Sequence, residues 1–209
     1  MSRAAPELTT TSYAILGLLA IRSWTSYELA QHMDRSLGRL WPRAKSKLYE
    51  EPKKLVALGL AKAEPGSVGK RPRTVYGITA KGRRALRDWL ALPAHGPLLE
   101  HEQLLKIFFA EHGSRDDVAA RIAEMKQWAL AERAEHLAVA ESYVAGTGAF
   151  QQRAAHLLLT GRFLFEFSEM TLRWAEWASG IVEQWPADVS QAHPDQPSYK
   201  DVIRRARGG

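Results

Sequence analysis

Cysteine is absent from the 209 residues. Its absence excludes a disulfide scaffold, a thiolate metal site and a cysteine nucleophile. No apolar run reaches the roughly 18 residues that a membrane span needs. The first residues, MSRAAPELTTTSY, lack the basic, apolar and cleavage regions of a signal peptide in that order. A cytoplasmic location without a membrane partner is the expectation. Assembled catalytic motifs are also missing. His101-Glu102-Gln103-Leu104-Leu105 begins like a zinc protease motif but has no second histidine. Gly66-Ser67-Val68-Gly69-Lys70-Arg71 has neither the P-loop spacing nor a Ser or Thr after the lysine. Gly-x-Ser-x-Gly does not occur. The seven histidines form no close pair at metal-ligand spacing. A non-enzymatic protein is expected, with no catalytic residue, metal site or cofactor.

What is present is an uneven charge. The net formal charge is +6. Residues 1–92 carry 17 Lys and Arg against 7 Asp and Glu, a net of +10, and the remainder carries 12 against 16, a net of −4. A basic front half is suited to a polyanion. An unemployed basic surface is the alternative on charge alone.

The local pattern divides the chain. Thr11 to Ile21 has a broad apolar face behind a run of threonines fit for an N-cap. Arg22-Ser23-Trp24 reads as a short connection. Thr25-Ser26-Tyr27-Glu28 is a capping box, opening a second helix to about Leu37. After Gly38 to Pro42, a third helix is expected over Arg43 to Leu58, kinked or divided at Pro52. Gly59 suits its C-cap. Leu60–Glu64 and Arg73–Ile78 read as strands joined by a long turn-rich tip from Pro65 to Pro72. Thr79 caps a fourth helix to Leu92. Pro93 to Pro97 is the best domain boundary. Helices are then expected at Leu99–Glu111, Arg115–Val144 and about Phe150–Trp185. The second of these has the stripe Val118, Ile122, Met125 and Ala129. The fold class is therefore mostly α. A winged helix-turn-helix with a two-stranded hairpin wing occupies residues 8–92. An all-α dimerisation and effector region covers 98–185, and a flexible tail covers 186–209.

A helix fits the major groove, and a basic hairpin beside it can follow the phosphates. The candidate DNA contacts are Arg43, Lys45, Ser46, Lys47, Tyr49 and Lys53 of the third helix, with Lys70, Arg71 and Arg73 of the hairpin. Taken singly, most are ordinary solvated residues. Their clustering on two elements that this fold sets side by side is what points to double-stranded DNA.

Residues 8–92 resemble the PadR family of transcription regulators. The likeness rests on Thr11-Ser12-Tyr13-Ala14-Ile15-Leu16-Gly17-Leu18-Leu19, Tyr27-Glu28-Leu29, Leu48-Tyr49, Leu55 and Gly59-Leu60. In and after the wing it rests on Gly69, Arg73, Tyr76, Ile78, Thr79, Gly82, Leu86 and Trp89-Leu90. The resemblance implies a homodimer on a palindromic operator, usually a repressor, with C-terminal helices mediating dimerisation. In some relatives a small aromatic or drug-like ligand releases the DNA. Two departures stand out: Ser26 replaces a common glycine, and Pro52 lies where many relatives continue the third helix. A winged-helix adaptor that binds protein and no DNA is the alternative from another functional class, and a repressor that senses nothing is the alternative among regulators.

The last long helix carries Phe163, Phe165, Phe167, Trp174, Trp177 and Trp185 among many aliphatic residues. Apolar residues on more than one stripe suit burial on two sides, as in a dimer. Trp128, Trp174 and Trp177 are candidates for an aromatic effector pocket, with plain core packing as the alternative. The basic end Arg204-Arg205-Ala206-Arg207 is a solvated terminus on this reading.

Overall fold

The computed structural model describes residues 7–42, 44–68 and 71–208; of Lys45, Ser67, Val68, Arg71 and Pro72 it describes the backbone alone. The chain divides after Pro97 into two compact units.

The first unit begins with α1, Thr10–Ile21. Thr9 and Ser12 cap it reciprocally, the Thr9 amide donating to Ser12 Oγ at 3.0 Å and the Ser12 amide to Thr9 Oγ1 at 3.3 Å. Ile15, Leu16, Leu18 and Leu19 are buried. Trp24, expected in a connection, forms with the cap residue Thr25 a short strand, β1. Thr25 then caps α2, Ser26–His32, and the capping box with Glu28 is present. The helix does not run on to Leu37 as an α-helix; Met33–Leu37 is a π-helical turn.

The third helix, α3, is Lys45–Ala57 and contains Pro52 without being divided. Pro52 is fully buried and lies on the inward stripe with Leu48 and Leu55, also buried. Packing of the ring offsets the amide bond that proline cannot make. The helix ends in a Schellman arrangement. Gly59 has φ +69°, its amide donates to Val56 O at 2.9 Å, and that of Leu60 donates to Leu55 O at 2.9 Å.

The hairpin is longer in its strands and shorter at its tip than expected. β2 is Ala61–Val68 and β3 is Arg71–Ile78. Their register pairs Val68 with Arg71, so only residues 69 and 70 lie between, and these fall outside the described residues. Pro65 is accommodated because β2 is an edge strand of a three-stranded antiparallel sheet ordered β1-β3-β2. β1 joins that sheet through Trp24 opposite Tyr76 and Thr25 opposite Val75. α4, Ala80–Leu90, follows with Thr79 as its cap. Its Trp89 stacks on Tyr13 of α1, ring centroids 4.8 Å apart.

Among its described residues the second unit contains helices and no strand. α5 is Glu102–Phe108, shorter than expected, and a 3-10 turn at Ala110–His112 follows it. α6 runs Arg115–Val144 behind the Ser114–Asp117 capping box, and the expected stripe of Val118, Ile122, Met125 and Ala129 is buried. Gly146, at φ +74°, ends α6 as Gly59 ends α3: its amide meets Tyr143 O and that of Thr147 meets Ser142 O. α7, Ala154–Val182, packs along α6 through Leu172, Ala175, Ala178 and Val182. Arg133 bridges to Glu169 at 2.6 Å. Residues 196–206 form a further helix, α8, where the sequence suggests a loose tail. Asp195 caps it, accepting from the Ser198 amide at 3.0 Å. No helix among the described residues is long and apolar enough to cross a membrane.

Candidate nucleic-acid interface

Helical geometry sorts the residues of α3 by face. Leu48, Pro52 and Leu55 point inward and are buried. Spaced by three and four on the opposite side, Ser46, Tyr49, Glu50 and Lys53 are exposed. Lys47 is exposed at the flank and lies 3.8 Å from Glu50. The sequence reading overlooked Glu50. It is the acidic member of an otherwise basic and polar face, and a carboxylate there is suited to accept from a cytosine amino group. Lys54 has another role: its ammonium donates to Glu7 O at 2.8 Å and lies 3.7 Å from Glu51. Arg43 and Lys70 lie outside the described residues. Lys45 and Arg71 are described in backbone only, at the start of α3 and of β3 respectively. Arg73 is exposed on β3, opposite Gly66.

The aim of this face is set by bonds that local sequence does not reveal. Ser12 on α1, fully buried, donates to Glu51 on α3 at 2.8 Å across 39 residues. Trp41 Nε1 donates to Thr11 Oγ1 at 3.1 Å. The Ser12–Glu51 bond thus holds α3 to α1 in addition to the packing of Leu48 and Leu55, and the Trp41 bond ties the segment before α3 to the same helix.

The start of α2 is tied to the wing. Glu28 Oε2 accepts from the Thr25 amide and hydroxyl, each at 2.8 Å, while Arg22 lies 3.6 Å from Glu28 Oε1. The Thr25 amide chiefly holds the Glu28 carboxyl below its usual value, with help from the Thr25 hydroxyl and the charges of Arg22 and Arg73, against a smaller opposing effect of burial. A carboxyl depressed in the folded state stabilises the fold fully above its unfolded value, near 4.5. That stability is lost as pH falls through the folded value. Glu28→Gln is expected to cost about 0.5–1 kcal/mol near neutral pH, a capping loss. It is also expected to flatten the fall in stability below about pH 5. Urea unfolding at several pH values measures both; equal pH slopes in the two proteins would contradict the assignment.

In the second unit the three candidate tryptophans have different surroundings. Trp128, on α6, meets Phe167 edge-on with centroids 6.0 Å apart. Trp174 packs on the core of Val118, Ile122, Ala175, Ala178 and Val182. Trp177 is half-exposed and its Nε1 donates to Ser198 Oγ at 3.2 Å. Among the described residues, no group of three or more His, Asp or Glu side chains is placed to hold a metal ion.

Comparison with known proteins agrees with this architecture. Residues 15–88 match the model of the transcriptional regulator PadR-like family, and residues 100–183 match that of the virulence activator alpha C-terminal family. The negative transcriptional regulator PadR of Bacillus subtilis (strain 168) is 32% identical over 111 residues, 51% of this chain. The match spans only 60% of that relative's length. The crystal structure of Bacillus subtilis PadR in complex with operator DNA superposes with a TM-score of 0.74 at 23% identity, covering 85% of this chain and 99% of that one. The same protein in complex with p-coumaric acid gives 0.66 at 23% identity, covering 84% and 100%. With the winged helix and the outward face of α3, residues 15–88 form a domain of the PadR-like family, followed by a helical region that matches the virulence activator alpha C-terminal model.

Proposed function

We propose that the chain is a homodimeric repressor that binds operator DNA through α3 and the β2–β3 wing. The observation that carries this reading is the division of α3. Ser46, Tyr49, Glu50 and Lys53 remain exposed on one side, while Leu48, Pro52 and Leu55 are buried on the other. A helix held by its apolar stripe, with polar and basic residues left free beside a hairpin, suits insertion into the major groove. The operator complex of the relative supports the same class of partner. Dimerisation is supported by Leu137, Val144, Leu158, Leu159 and Phe163 of α6 and α7, all well exposed in the single chain. Covering such a surface with a second copy removes apolar area from water and sets two wings at half-sites about 34 Å apart. Light scattering of the purified protein is expected to give a dimer; a monomer at micromolar concentration contradicts this. Release by a small aromatic ligand belongs to the same proposal, supported by the relative's p-coumaric acid complex.

The decisive experiment is a gel shift with DNA from upstream of the protein's own gene. A shift that survives competitor DNA and weakens steeply with salt is expected. Absence of saturable binding would favour the protein-interaction adaptor. Two substitutions separate the contacts. Tyr49→Ala is expected to weaken operator binding by about 1–3 kcal/mol while leaving random DNA nearly unchanged. Arg73→Ala is expected to weaken both and to reduce the salt slope by about one. Operator selectivity that is unchanged in Tyr49→Ala would show that α3 docks by another face.

A further inference from the structure

We propose that Glu50, at the middle of the outward face of α3, selects cytosine in the operator by accepting from its amino group, while Lys47 and Lys53 on either side of it meet phosphates. The proposal rests on the DNA reading above and names a residue that determines specificity within it.

The placement follows from the helix. At about 100° per residue, Glu50 lies about 200° round α3 from Leu48 and about 160° from Pro52. Both of those are buried, so Glu50 lies on the line of α3 farthest from the core. Lys47 and Lys53 are three residues away in each direction, about 60° to either side of that line. All three side chains are exposed. In a major groove the outermost line of a helix meets the base edges, and its flanks meet the phosphates of the two walls. Lysines on the flanks suit those walls. A carboxylate on the outermost line is repelled by phosphate, by N7 and O6 of guanine and by O4 of thymine. The amino groups of cytosine and adenine are the donors that the groove offers it. Adenine sets an acceptor, N7, beside its amino group, and cytosine has no acceptor on its own edge. Cytosine is therefore the base that a carboxylate meets at least cost.

The two adjacent glutamates of α3 differ in just the respect this role requires. Glu51 accepts from Ser12 at 2.8 Å and lies 3.7 Å from Lys54, so it serves the fold. Glu50 lies 3.8 Å from Lys47, beyond hydrogen-bond length, and its side chain is 70% exposed. An ion pair this loose and this exposed contributes little in water, so Lys47 leaves it for a phosphate at small cost.

The test is selection of double-stranded DNA from a randomised library by the full chain, followed by competition binding of the enriched site and its single-base variants. The enriched site is expected to contain a cytosine whose replacement by guanine, which offers only acceptors, weakens the unaltered chain by about 5–150-fold. In Glu50→Ala the same replacement is expected to cost less than about twofold, while preferences elsewhere in the site persist. Glu50→Gln is expected to move the preference at that position from cytosine to adenine, because an amide donates to N7 and accepts from the N6 amino group. Circular dichroism verifies that each variant is folded. A structural or solvated role for Glu50 would change the affinity for all sites alike and leave the base preference of Glu50→Ala intact, and that result would overturn the proposal. So would an enriched site without a cytosine that Glu50→Ala ceases to distinguish. In both cases the DNA reading stands. If the unaltered chain enriches no sequence, the DNA reading falls and this proposal falls with it.

Discussion

Leu55→Ala is expected to lower the free energy of unfolding by about 2–5 kcal/mol, the range for truncating a large core side chain. Leu55 has no exposed surface and lies on the stripe that turns the outer face of α3 away from the core. Its carbonyl also receives the Leu60 amide where the helix gives way to β2. Truncation leaves a cavity between α3 and the helices it packs on, α1 and α2. Operator binding is expected to fail at temperatures where the unaltered chain still binds. Urea unfolding followed by circular dichroism gives the stability change, and Lys53→Ala, exposed on the same helix, is the control at about ±0.5 kcal/mol. A loss below about 1 kcal/mol in Leu55→Ala would mean that α3 is not anchored by this stripe.

Gly82→Ala is expected to destabilise the protein by about 2 kcal/mol or more, although helix propensity alone predicts a gain of about 1 kcal/mol. A Cβ at Gly82 would lie 2.1 Å from Leu60 O and 2.9 Å from Ile78 Cγ1. The obstruction is backbone, and that carbonyl already accepts the Thr79 amide at 3.0 Å and the Thr79 hydroxyl at 3.1 Å. Relief requires moving either the start of α4 or the start of the wing, so DNA binding is expected to weaken with stability. Gly180→Ala in α7 is the matched control, since nothing lies within 4 Å of a Cβ there; it is expected to stabilise by about 1 kcal/mol. Thermal unfolding of the two variants in parallel checks the sign. A gain in Gly82→Ala would show that α4 and Leu60 are not packed so closely.

Much of the fold was legible because its signals are short-range. The capping boxes at Thr25 and Ser114, the cap at Thr79 and the helix end at Gly59 each involve residues only a few positions apart. The buried stripe of α6 recurs at the helical period. Other features were not legible locally. Trp24 and Thr25 become a strand only because β3 lies beside them, and two residues are too few to show alternation. The prolines and glycines of residues 65–72 read as a loop, yet the edge position of β2 lets Pro65 stay in the ladder. The prolines near the end suggested a loose tail, while the Asp195 cap starts a helix there.

By itself, the sequence determined the charge division, the order of helices and hairpin, and the family pattern, all of which depend on composition or on neighbours within a few turns. Tertiary structure decided which side of α3 stays exposed, and so brought Glu50 into the candidate face. It also decided that Glu51 is bound by Ser12, that Gly82 is closed in by Leu60 O, and that three tryptophans have separate neighbours. These outcomes depend on side chains brought together from distant positions. Helical periodicity specifies which residues share a face; only packing specifies what that face meets.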